Sequence, residues 1–130
     1  MKKYLFLSLA SLTVITSCQK SKEKVFEEWA KDYTKHCPVT LDKFTRVDSM
    51  IYFPQTNTNC YYYSVMGSMD NADSIRHNRD ELMESLTDGI INSIDLKPYK
   101  DYHTTLEYIY YSDKTKKELL KITVTPQMYK

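Results

Sequence analysis

Apolar and polar positions change period several times along this chain, and each change marks an element. Val25 or Phe26, Trp29 and Tyr33 recur at spacings of three and four, with Glu27, Glu28, Lys31 and Asp32 turned the other way. That spacing predicts a helix over 24–33. Pro38 ends it, because a residue before proline is pushed out of the helical region. From Leu41 the period falls to two: Leu41, Thr45, Val47, Ile51 and Phe53 share one side, while Asp42, Arg46 and Asp48 take the other. This is the mark of a strand buried on one face. A polar stretch, Pro54–Asn59, separates it from a second strand, Cys60–Met66. Two strands with a short polar link are most simply a hairpin.

Met69–Ser74 then offers several N-cap residues, followed by a long helix from Ser74 to Ile94. Its apolar stripe is Ile75, Leu82, Leu86, Ile90 and Ile94, with Arg76, Asp80, Glu84 and Asp88 away from it and Pro98 closing it. The last third alternates again. Thr104–Tyr111 and Glu118–Thr125 predict a second hairpin about the polar turn Ser112–Lys117, stopped by Pro126. The predicted order is helix, hairpin, helix, hairpin. The expected fold class is α+β, a four-stranded antiparallel sheet with the helices packed on one face. Strand parity places Tyr61, Tyr63, Tyr108 and Tyr110 under the helices with Leu106, Ile122 and Val124. Phe44, Met50, Tyr52, Tyr62 and Tyr111 are expected opposite, among Asp42, Arg46, Asp48, Glu107, Lys121 and Thr123.

The N-terminus follows a different pattern. Met1-Lys2-Lys3 is a positive start, and Leu5 to Ile15 is an uncharged, mostly apolar run. At about 11 residues it falls short of the roughly 20 that a spanning helix needs. A charged start, a short apolar core and small residues at its end are the signature of a secretion signal. Ile15-Thr16-Ser17-Cys18 closes the run and resembles the lipobox of bacterial lipoproteins. The resemblance implies cleavage before Cys18, a diacylglycerol on its thiol and a fatty acid such as palmitate on the freed amine. One acyl chain holds a membrane only marginally, whereas two or three anchor stably at about 0.8 kcal/mol per buried CH₂. Residue 19 is Gln rather than Asp, which in this family implies the outer membrane, facing either the periplasm or the surface. An ordinary signal peptide with a cysteine beside its cleavage site is the alternative. These boundaries divide the chain into a removed segment 1–17, a lipidated tether 18–23 and one small domain 24–130.

A second resemblance runs through the mature part. Cys37-Pro38, Leu41-Asp42, Thr45–Ser49, Tyr61–Val65, Tyr108–Tyr110 and Ile122–Pro126 are similar to a pattern in small exported bacterial proteins of uncharacterised function. It brings no activity with it.

Composition narrows the function classes. Eighteen basic residues against 17 acidic ones give no support for a nucleic-acid partner, which calls for clustered Lys and Arg. With Gly67 and Gly89 as the only glycines, the glycine-rich phosphate loops and the G-x-S-x-G elbow are absent. No enzyme, cofactor or metal is therefore expected. His77 with Asp73 and Glu81 puts a nitrogen and two oxygens on one helix face, enough for a weak metal site; a zinc site also wants a supporting shell, so a charged solvent face is the plainer reading.

Cys37 and Cys60 form an even pair in an exported chain, and a disulfide between them would add about 3 kcal/mol. Against it, a turn at residues 54–58 sets Cys60 opposite a residue near Tyr52, so two separate buried thiols stand as the other reading. Twelve tyrosines supply the candidate binding surface: Phe44, Tyr52, Tyr62 and Tyr111, for an envelope protein or a glycan. The plainer account is ordinary strand tyrosines with wet hydroxyl ends. The expected function is a membrane-anchored envelope lipoprotein that binds or scaffolds without catalysis. The alternative is an inhibitor or immunity protein against an envelope-directed enzyme or toxin, presenting Pro54–Asn59 or Ser112–Lys117.

Overall fold

The computed structural model describes residues 20–130, so the signal segment, Cys18 and Gln19 lie outside the described residues. Helix α1 spans Lys22–Lys35, and the Ser21 side chain caps it by accepting from the Lys24 N–H at 3.3 Å. Phe26 and Ala30 on its inner face are buried, and Val25 and Tyr33 pack beside them. The strands are β1 (Val39–Thr40), β2 (Thr45–Phe53), β3 (Thr58–Val65), β4 (Thr105–Ser112) and β5 (Glu118–Val124), side by side in that order.

The sheet is five-stranded and mixed, which corrects the expectation of four antiparallel strands. The pairs β1–β2, β2–β3 and β4–β5 are antiparallel, but β3 and β4 run parallel, from Thr58↔Thr105 to Val65↔Ser112. Two hairpins laid side by side can meet in more than one way. β3 can meet β4 or β5, and in either direction; here it meets β4 in parallel, because the connection between them crosses to the other end of the sheet. Alternation within each strand carries no information on which edges meet. A parallel pair needs a crossover of a dozen or more residues, and residues 66–104 supply one.

That crossover holds three helices rather than one: α2 (Ala72–His77), α3 (Arg79–Asn92) and α4 (Lys97–Asp101). Asn71 caps α2 through its side-chain oxygen. Asn78 breaks the predicted long helix: its backbone sits at φ −93°, ψ 9°, and its side-chain amide donates to the Ser74 carbonyl at 2.8 Å. Local bonding of this kind by Asn competes with the helical ladder. Pro98 opens α4 instead of closing the previous helix, since a first-turn proline lacks only an N–H that would be unpaired anyway. Ile75 and Ile90 of the predicted stripe are buried, whereas Ile94, past the end of α3, is 86% exposed.

All this helical surface packs on one face of the sheet. Phe26, Ala30, Ile75, Ile90 and Tyr99 form a single core with Val47, Leu106, Ile122 and Val124. The parallel register sets Tyr61 opposite Tyr108 and Tyr63 opposite Tyr110. Each pair stacks, at 5.1 Å and 8° and at 4.9 Å and 13° respectively.

Strand β2 departs from its predicted parity. Val47 pairs with Tyr63 and Ser49 with Tyr62, leaving Asp48 as an extra residue. One inserted residue turns every later side chain to the other face. Met50 and Tyr52 therefore point to the helices and are buried, while Ile51 and Phe53 point away and are exposed. Tyr52, expected on the candidate binding surface, is a core residue packed edge-on against Phe26 at 5.3 Å.

Candidate functional site

The face of the sheet opposite the helices is built from alternate residues of four strands. β2 contributes Arg46, Asp48, Ile51 and Phe53; β3 contributes Cys60, Tyr62 and Ser64; β4 contributes Glu107, Ile109 and Tyr111; β5 contributes Lys121 and Thr123. Register puts Tyr62 beside Ile109 and Tyr111 beside Ser64. The two rings stack diagonally across the strands with centroids 6.3 Å apart at 27°. Both tyrosines are half-buried, while Cys60 and Ile109 are buried at the floor between the larger side chains. Burial pushes the Cys60 thiol up to about 11 and also raises the Tyr62 phenol.

Charges border this aromatic centre. The Arg46 guanidinium donates to Asp48 at 2.7 Å and to Asp113 at 3.0 Å, and Lys116 reaches Asp113 at 3.2 Å. The Ser64 hydroxyl donates to the other oxygen of Asp48. The bulge residue is thus held from both sides. The bond to Asp48, followed by that to Asp113, raises the Arg46 pKa; Lys116, then Arg46, holds the Asp113 carboxyl below the usual carboxylate value. On the β4–β5 side Lys121 approaches Glu107 at 3.6 Å. An aromatic and aliphatic centre with a charged rim is the anatomy of a protein-binding surface.

Of the predicted surface residues, Tyr62 and Tyr111 come together. Phe44 lies at the rim, half-buried just before β2, its ring 4.8 Å from the Lys43 ammonium and close against Gly67. Gly67 has φ +62°, and an added Cβ would stand 3.4 Å from that ring, so glycine suits the position. Tyr52 lies on the far side of the sheet. Ile51 and Phe53 take the outward positions instead, and alternation alone could not assign them, because β2 is apolar on both parities beyond Ser49.

Cys37 and Cys60 are unbonded thiols. Cys37 packs with the helix-side core, whereas Cys60 sits on the open side. His77, Asp73 and Glu81 are all exposed, and the break at Asn78 falls between His77 and Glu81. Among the described residues no group of three His, Cys, Asp or Glu side chains is placed to hold a metal ion. No helix among them is long and apolar enough to cross a membrane. The 54–59 turn is tied down. Asn57, at φ 48°, accepts from the Tyr52 and Thr104 hydroxyls at 2.8 and 2.9 Å and donates to the Tyr102 carbonyl at 2.9 Å.

The family described as "Domain of unknown function (DUF8479)" matches residues 20–120. No curated protein matches the sequence. Among solved structures the fold is similar to a Pseudomonas aeruginosa protein provisionally described as secreted, with TM-score 0.72 and 17% identity over 84% of this chain and 93% of that one. It is also similar to the pilotin EpsS of the Vibrio vulnificus type 2 secretion system, with TM-score 0.64 and 11% identity over 84% and 92% of the two chains. The type II secretion pilotin AspS of Vibrio cholerae gives TM-score 0.60 and 9% identity over 82% and 91%. At these identities the likeness is one of fold.

Proposed function

We propose that this chain, which belongs to the DUF8479 family of domains of unknown function, is a lipid-anchored, non-catalytic binding module of the cell envelope. Cys18 carries the lipid, the outer membrane holds it, and the face around Tyr62 and Tyr111 receives a protein partner. The observation that carries the reading is that face: a stacked aromatic pair over an apolar floor, rimmed by ion pairs, on the side of the sheet away from the helices. Aromatic anchors in such a setting supply most of the binding energy of an interface. Likeness of fold to two type II secretion pilotins and to a protein described as secreted supports an exported, envelope-associated role.

Two experiments test it. Cys18→Ala should release the protein from the membrane fraction, and a variant that stays as firmly bound as wild type would sink the anchor. Crosslinking in intact envelopes should give a discrete partner adduct that is lost in Tyr62→Ala/Tyr111→Ala. An unchanged adduct would remove the open face from the reading.

A further inference from the structure

We propose that the end of the domain carrying Lys22, Ile94 and Lys97 rests on an anionic phospholipid surface, with Ile94 inserted at the headgroup level. This rests on the anchoring of Cys18. Helix α1 begins at Lys22, and the four residues from Cys18 reach at most about 14 Å even when fully extended. Whatever surrounds Lys22 is therefore held close to the bilayer.

What surrounds it suits a membrane. A shallow cavity of about 340 Å³ is lined by Lys22, Ile94, Lys97, Pro98, Asp101 and Tyr102. Ile94 is the most exposed large apolar residue among those described, at 86%. The turn that presents it is braced: the Lys100 ammonium donates to the carbonyls of Ile91 and Ser93 at 3.0 and 2.9 Å, and the Lys97 N–H donates to the Ile94 carbonyl at 3.1 Å. A rigid apolar knob avoids the ordering cost that a flexible one meets on docking.

Lys22 has no ion pair among the described residues, Lys20 reaches Glu28 at 2.9 Å, and Lys97 pairs with Asp101 at 2.6 Å. The acidic groups at this end are Glu23, bonded by the Tyr102 hydroxyl, Asp101, bonded to Lys97, and the exposed Asp95 beside Ile94, against Lys20, Lys22, Lys97 and Lys100. Basic residues close to a lipid surface are attracted to its anionic headgroups. The same end carries the start of β4 and the β2–β3 turn, tied together through Asn57. The strands then stand away from the bilayer, with the Tyr62–Tyr111 face turned sideways and open to a partner.

The single tryptophan makes the test direct. The acylated protein is placed on vesicles of phosphatidylethanolamine and phosphatidylglycerol carrying bromine on their acyl chains. In a Trp29→Phe background, one variant carries Ile94→Trp and another carries Thr115→Trp, in the β4–β5 turn at the far end of the sheet. Fluorescence at position 94 should be quenched several-fold more than at position 115. Equal quenching at the two positions in vesicle-bound protein would overturn the docking geometry alone. Failure of the acylated protein to bind the vesicles would overturn the anchoring as well.

Discussion

Tyrosine serves opposite ends on the two faces of this sheet. On the helix side Tyr61, Tyr63, Tyr108 and Tyr110 form two stacked pairs aligned by the parallel register, with Tyr63 also stacked on Tyr108, in the core shared with the helices. On the other side Tyr62 and Tyr111 also stack, but at 6.3 Å, half-buried and ringed by Arg46, Asp48, Asp113, Glu107 and Lys121. The residue type is the same and the neighbours differ. A ring whose neighbours are rings and helices is core, and a ring whose neighbours are ion pairs is half-open surface.

The sharpest way to break this contrast is truncation. Tyr63→Ala should cost about 3–5 kcal/mol, the range for a large buried aromatic. Tyr62→Ala should cost only about 1 kcal/mol, the worth of an aromatic pair. Urea unfolding decides it, and equal losses would make both faces core.

Alkaline pH should separate the faces next. Burial raises the phenol pKa of Tyr61, Tyr63, Tyr108 and Tyr110, against about 10 in the unfolded chain. Stability from these groups is complete below that value and is lost as pH rises above it. Tyrosinate absorbance should therefore show these phenols ionising together with unfolding, and independent titration in the folded protein would contradict it. On the acid side the sign reverses. Asp113, held below its usual value by Lys116 and Arg46, contributes above the ordinary carboxylate range, and that contribution disappears as pH falls through its lowered pKa. Arg46→Ala should flatten this dependence while changing stability less than Tyr63→Ala does.

The smallest effect concerns the thiols. Cys60, pushed up to about 11 by burial, should resist alkylation until the domain unfolds, while half-buried Cys37 reacts sooner. A protein that labels at neither site until reduced would instead carry the disulfide.

How much of this was legible in the sequence follows from where periodicity speaks and where it is silent. The two hairpins and α1 were placed by alternation and by three-four spacing. The assignment of Tyr61, Tyr63, Tyr108 and Tyr110 to the helix side followed from sharing parity with Leu106, Ile122 and Val124. The β2 bulge was hidden because Met50 and Tyr52 are as apolar as Ile51 and Phe53, so either parity reads as a buried strand. The parallel β3–β4 contact was hidden because pairing between hairpins depends on the crossover and leaves no mark within a strand. The break at Asn78 carried a signal, an Asn inside the helical pattern, though the apolar stripe continued across it.

The placement of β3 has a consequence for how the chain avoids self-association. Thr58–Val65 reads TNCYYYSV, with no charge, no proline and strong β-propensity, the composition of segments that stack into cross-β assemblies. In the finished fold β2 and β4 occupy both of its edges. Because β4 reaches it only after the whole helical crossover, that inner edge stays open while the first hairpin waits for the second. Substitutions that weaken the crossover should therefore appear as aggregation during folding more than as lost stability of the folded protein.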